Sequence, residues 1–258
     1  MRNIYIQTGN HIPIQQGTII NGCISDNYTE GVYGIIITPR CDIGNGGKVP
    51  TIHYLPIISL EKWIQNDCKN SAIQKERKKL DEMLRDLGIS SNILDIIKIQ
   101  DIEKIQIPQQ SLDRIKVYFS SKNGGNINSP QIINHIKEDY STLIKGQHNR
   151  YYLIEDWNNP NKYNVILLRE IKRLSYQTAT KYTDGFQARL INEDEFNTND
   201  IIKTTSNFNF HTVATIGSPY IEHIIQAFSY NFCRIGINNI DENELSRKYQ
   251  IIDFLKNK

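Results

Sequence analysis

At 258 residues the chain is long enough to bury a substantial core, as one large domain or two small ones. With 39% hydrophobic and 22% charged residues it is composed as a globular protein, and a net charge of +2 is too balanced to mark a dedicated nucleic-acid binder, which concentrates basic residues on one face. No stretch approaches the ~18 consecutive apolar residues of a membrane span, and Met1 to Gln7 lacks the apolar run of a signal peptide. The expectation is a cytoplasmic protein without a membrane partner.

The first segments read as β. Residues 17–24 form a strand candidate, Asp26-Asn27 and Glu30-Gly31 are turn signals, and residues 32–38 form a second strand. Its run Ile35-Ile36-Ile37 has no polar alternation, which predicts burial on both faces. Pro39 stops it, because proline has no amide hydrogen to give a ladder. A loop at Gly44-Asn45-Gly46-Gly47 leads to a third strand over residues 51–58.

Helices follow. Ser59 caps a helix containing Trp63 and Ile64, and Ser71-Ala72-Ile73-Gln74 reads as a capping box for another. The second helix carries Ile73, Leu80, Met83, Leu84 and Leu87 on one stripe, with Gly88 as its stop. The dense charges Lys75, Glu76, Arg77, Lys78 and Lys79 read as its solvated face. Ser91 opens an apolar segment over residues 93–99, so residues 59–107 form a helical insertion between β segments. Residues 115–119 read as a strand and Asn123 to Asn126 as a turn. Ser129-Pro130 starts a helix with Ile132, Ile133, Ile136, Tyr140, Leu143 and Ile144 facing inward and Gly146 ending it.

Strands are expected again at 151–154, 163–168 and 186–191, with a polar loop at 204–209. Ser218-Pro219 begins a last helix with Ile221, Ile224, Ile225, Phe228 and Phe232 on one face and Gly236 as its stop. Tyr220, His223, Ala227, Asn231 and Arg234 occupy the opposite face.

The most pointed chemistry is Thr38-Pro39-Arg40-Cys41-Asp42, just beyond a buried strand where loops display functional groups. A cysteine nucleophile needs a base and a group that orients the base. Cys41, His53 and Asp42 are of the right types for that set, and Thr38, Arg40 and Arg234 are candidate binding residues. The competing reading makes Cys41 a small buried filler and Asp42 an acceptor of loop amides. Cys23, Cys41, Cys68 and Cys233 form no CxxC pair, which predicts free thiols, with Cys23 and Cys233 in the core. The six histidines lack metal spacing, and the glycines at 44–47 match no nucleotide loop, so neither a metal nor a cofactor is expected.

Gly17-Thr18-Ile19-Ile20, a turn, and Ile35-Ile36-Ile37-Thr38-Pro39 together resemble the opening strands of the PemK/MazF toxins, in which Gly-Asp-Ile-Val precedes a hydrophobic strand ending in a polar loop. The chain departs from them at Thr18, where the family is acidic, and in having no basic loop between the strands. Thr38 to Ile43, with Ser218 to His223 and Phe232 to Gly236 far downstream, is similar to a group of uncharacterised bacterial proteins, some encoded in phage-defence neighbourhoods. The abundance of Ile and Asn, a bias of AT-rich genomes, agrees with a bacterial source.

The expected fold is α+β. An antiparallel β unit over residues 1–110, in form an SH3-like barrel, carries the insertion at 59–107, and an α+β unit over 111–258 is packed by the C-terminal helix. The expected function is a non-catalytic binding or adaptor subunit of a bacterial defence or toxin–antitoxin-type system, with a protein partner encoded nearby. Nucleic acid stays open as a ligand. The alternatives are a PemK/MazF-like endoribonuclease working around Thr38 and Arg40, and a Cys-dependent enzyme centred on Cys41.

Overall fold

The computed structural model describes residues 4–44, 48–90, 93–96, 101, 107–122, 129–188 and 208–233. Its centre is an antiparallel eight-stranded sheet curled into a half-barrel. From one edge the strands run β1 (Tyr5–Thr8), β10 (Thr212–Ile216), β2 (Thr18–Ile20), β3 (Tyr33–Ile36), β4 (Thr51–Ser59), β6 (Tyr163–Leu167) and β5 (Tyr151–Glu155). The eighth, β7 (Lys172–Ser175), pairs with the first half of β4, and β6 pairs with its last three residues. Strands from before and after residue 110 thus lie side by side. A separate hairpin-like pair joins β8 (Phe186–Ala188) to β9 (Phe208–Phe210).

Both faces of the sheet are buried, and the alternation of side chains divides the isoleucines between them. Ile20, Ile36, Tyr54, Ile58 and Val165 point into one core, with Trp63, Tyr182 and Phe210. Their chain neighbours Ile19, Ile35, Leu55, Ile57 and Ile166 point into the other, beneath Ile221 and Ile224 of α8 (Tyr220–Cys233). The unalternating isoleucine run therefore has the origin expected of it. The other half-buried members of that helical stripe are Ile225 and Phe228, while the side chain of Phe232 lies outside the described residues.

Pro56 sits inside a central strand, which proline normally avoids. The fork in the sheet explains it. The amide of His53 and that of Ile37 exchange with the β3 side of β4, so even-numbered residues of β4 face β6 and β7. The pairings leave Leu55 and Pro56 without a strand partner on that side, so no ladder bond is missed. Across the sheet Pro56 faces Gly34, where a Cβ would stand 2.6 Å from Tyr54 Cδ2 and 2.7 Å from Cys23 Sγ.

The helical insertion leaves the sheet at Ser59, whose hydroxyl caps α2 (Leu60–Trp63) by accepting the Lys62 amide at 3.3 Å. A π-helical turn, Ile64–Cys68, then runs without a break into α3 (Lys69–Asp86). Ser71 consequently lies within a continuous helix and caps nothing. Residues 115–119 are helical, within α5 (Gln109–Lys122). Leu112, Ile115 and Phe119 recur at helical spacing and are buried, while Val117 is exposed, so the strand expected there is corrected. These helices, with α4 (Ile93–Ile96) and α6 (Pro130–Ile144), build a third core around Leu80, Leu84, Tyr118 and Ile132.

Charge in this insertion is not simply solvated. Glu76 is 2% exposed and holds Arg114 by two bonds, Nε–Oε1 at 2.5 Å and Nη2–Oε2 at 3.1 Å, with His135 Nε2 at 3.6 Å. Lys75 pairs with Asp139, and Arg77 reaches Asp95 at 2.6 Å. Only the tail of the run, Lys78 and Lys79, is fully turned to solvent. Six elements also escape the sequence patterns: β1, β7, β9, β10, the single-turn α1 (Arg40–Gly44) and α7 (Tyr176–Asp184), with β9 taking up the end of the loop expected at 204–209. Among the described residues no helix is long and apolar enough to cross a membrane.

Candidate functional site

Among the described residues, two concavities gather polar side chains. The smaller, a cleft of about 410 Å³, gathers three of the sequence-selected residues: Thr38, Asp42 and His53. Thr38 is buried, and its Oγ1 accepts the His53 amide at 2.7 Å, fixing the start of β4 against the end of β3. The Pro39 carbonyl accepts the amides of Asp42 and Ile43, which winds the expected loop into α1. Phe228 of α8 and Ile171 close the cleft with apolar surface.

Arg40 and Cys41 are exposed on α1, and the Cys41 thiol donates to Asp42 Oδ1 at 3.6 Å. Cys41 is therefore not the buried filler of the packing reading. Cys23 is core, as expected, and Cys68 is buried as well. Arg234 and the side chain of Cys233 lie outside the described residues, as do Gly46, Gly47 and Gly236. The described residues hold no group of three or more histidine, cysteine or carboxylate side chains arranged to bind a metal.

The larger concavity, a groove of about 780 Å³, lies between the α6–β5 corner and α8. Its shape starts at Gly146, whose φ of +66° ends α6 and lets Gln147 return its amide to the Thr142 carbonyl at 3.0 Å. The reversed chain carries Gln147, His148 and Asn149 across to Tyr152. From the other side α8 presents His223, Gln226, Tyr230 and Asn231, the polar face of an otherwise apolar helix. Two members of this face, His223 and Asn231, stand out in the sequence. The opposite wall does not, because its residues fall in a short corner without periodicity.

His148 is the most constrained member. Its ring meets Trp63 edge-on at 6.2 Å and Tyr151 at 4.8 Å, and its Nδ1 accepts the Arg150 amide at 3.2 Å. That bond assigns the proton of the neutral ring to Nε2. Burial pushes the His148 pKa down; Asp139 opposes this, while Arg150, Lys75 and Arg169 add to the fall. Arg150 also lies over the Tyr151 ring, 5.6 Å from its centroid, and Arg169 Nε donates to Asn231 Oδ1 at 3.4 Å. The two guanidinium groups thus stand behind the groove wall, Arg150 next in sequence to the lining residue Asn149 and Arg169 on Asn231, and no carboxylate lines the groove among the described residues. Tyr152 is half-buried, and burial raises its phenol, with a smaller contribution from Tyr220.

Behind this wall the π-helical turn holds Asp67 near the Tyr28 and Tyr151 hydroxyls. Burial raises both phenols, and the carboxylate raises them further. Comparison of the chain with protein-family models, with curated proteins and with solved structures returned no significant match, so the two concavities stand on their own geometry.

Proposed function

We propose that this protein is a non-catalytic binding subunit of a bacterial defence or toxin–antitoxin-type system, and that the groove between the α6–β5 corner and α8 is its recognition site. One observation carries the reading. Two segments about seventy residues apart converge on a single groove and fill it with amides, imidazoles and phenols, with Arg150 and Arg169 behind its wall. Such groups recognise a ligand through hydrogen bonds, stacking and charge. The cleft near Cys41 supports catalysis less well, because the thiol is directed at a carboxylate and the His53 contact with Thr38 is made by its backbone. The defence context rests on the likeness of the 38–43, 218–223 and 232–236 segments to proteins from such neighbourhoods.

The test uses cells carrying the protein with its neighbouring genes. Arg169→Ala combined with Tyr230→Ala should abolish phage resistance or toxin control, and Cys41→Ser should preserve it. The reverse pattern, loss with Cys41→Ser and silence at the groove, would replace the binding reading with the cysteine-enzyme one.

A further inference from the structure

Resting on that reading of the groove, the geometry points to a ligand class: we propose that it takes a nucleotide unit, with the base against the exposed Tyr230 ring and the phosphate near Arg150 and Arg169. Tyr230 is 58% exposed although it lies on the helix that covers the sheet. An exposed ring beside a concavity offers a stacking surface, and stacking accepts any base because every base has a π face. Gln147, Asn149 and Gln226 bring three carboxamides to the same space, while that of Asn231 is engaged by the Ala227 carbonyl and Arg169. Each presents a donor and an acceptor side by side, the pattern that matches the edge of a base.

The phosphate half follows from charge. Arg150 lies over the Tyr151 ring next to His148 and Arg169 donates to Asn231 of the groove wall, while the carboxylate that acts on His148, Asp139, is itself paired with Lys75. His148 adds a neutral Nε2–H donor, since its Nδ1 is already committed to the Arg150 amide. With no carboxylate among the described lining residues, an anion entering the groove meets no facing negative charge there. A volume of about 780 Å³ lies within the range of small-molecule sites and accommodates a nucleotide with space beside it. An acidic peptide would use the two arginines and could pair its backbone amides with the carboxamides, but a nucleotide joins an anion to a planar face for the exposed Tyr230 ring in one unit. The same chemistry is offered by a free nucleotide or by one unit of a single strand, and the net charge of +2 restricts the attraction to this local patch.

The experiment titrates the full chain with fluorescein-labelled single-stranded U and T dodecamers, followed by anisotropy, and with AMP and UMP, followed by tryptophan fluorescence. Trp63 serves as the reporter for the mononucleotides because it touches His148. Saturable binding is expected. Tyr230→Ala should weaken it roughly tenfold or more, the loss of one stacked base. Arg169→Ala should reduce the slope of log affinity against log salt by about 0.7 for a strand. Lys137→Ala, exposed on α6 away from the groove, should change neither. Affinity that rises from mononucleotide to dodecamer assigns a strand; equal affinity per site assigns a free nucleotide.

No saturable binding of strand or mononucleotide at millimolar concentration overturns the proposal, and so does binding that ignores both groove variants. If binding is absent while the same variants still abolish function in cells, the recognition groove stands and only the nucleotide falls. If the variants are also silent in cells, both readings fall together.

Discussion

The buried carboxylate of Glu76 makes a prediction whose sign depends on which partner is removed. Glu76 is 2% exposed, whereas the Arg114 side chain retains 29% of its surface. Changing Glu76→Gln keeps the volume and one acceptor, and the released guanidinium can turn toward water. The cost is then the charge-assisted part of two hydrogen bonds, about 1.5–3 kcal/mol. Changing Arg114→Met leaves a carboxylate buried without its cation, which costs about 3–5 kcal/mol. His135 Nε2, 3.6 Å from the carboxylate, is a further polar group beside it. All variants are compared at one fixed pH. The double variant Glu76→Met with Arg114→Met removes both charges together and should be less costly than Arg114→Met alone. Urea unfolding followed by far-UV circular dichroism reads α3, α5 and α6, and tryptophan fluorescence reads the sheet core around Trp63 and Trp157. Glu76→Gln matching or exceeding Arg114→Met, or a double variant equal to the sum of the singles, would refute the reasoning.

Two further outcomes follow from packing and from burial of titratable groups. Gly34→Ala places a Cβ within 2.7 Å of two buried side chains and should cost about 1–3 kcal/mol, lowering the melting temperature by roughly 2–4 °C for each kcal/mol; Gly44→Ala, with nothing within 4 Å, is the control, and equal effects at the two sites would show that crowding is not the cause. Burial holds Cys23 and Tyr182 well above their ordinary values of 9.0 and 10.0 and pushes Cys68 up to about 12. Raised folded-state values mean that stability is fully present below about pH 9 and is lost as the pH climbs toward 12, because the unfolded chain ionises first. Unfolding free energies measured across that range should fall together with the appearance of tyrosinate absorbance, and a flat profile would contradict the burial.

Much of the fold is written locally. Ser59, Ser129 and Gly146 act through bonds to amides and carbonyls within five residues, so they end or begin helices wherever the chain carries them. The run Ile35-Ile36-Ile37 demands two apolar surroundings because a strand presents alternate residues to opposite sides, and the two sheet faces supply them. Pattern fails where it is short or where a stronger neighbour overrides it. Residues 115–119 are β-formers by type, yet Ile115 and Phe119 are four apart, and the third core they bury into makes helix the better solution. Ser71 carries a capping signature, but the helix already begun at Ser59 supplies its neighbours' hydrogen bonds.

Sequence alone therefore determined the α+β class, the two-faced burial of the central strands, the helical insertion and the C-terminal packing helix. It also marked Thr38, Asp42 and His53, which share one cleft, and the polar face of α8 that includes His223 and Asn231. Tertiary structure decided the rest. The insertion of β10 between β1 and β2, the pairing of Glu76 with Arg114, and the meeting of His148 with α8 join residues separated by 38 positions or more. No local period encodes such contacts; they follow from which apolar faces the folded chain can bury at once, and the groove is the space left where those faces meet.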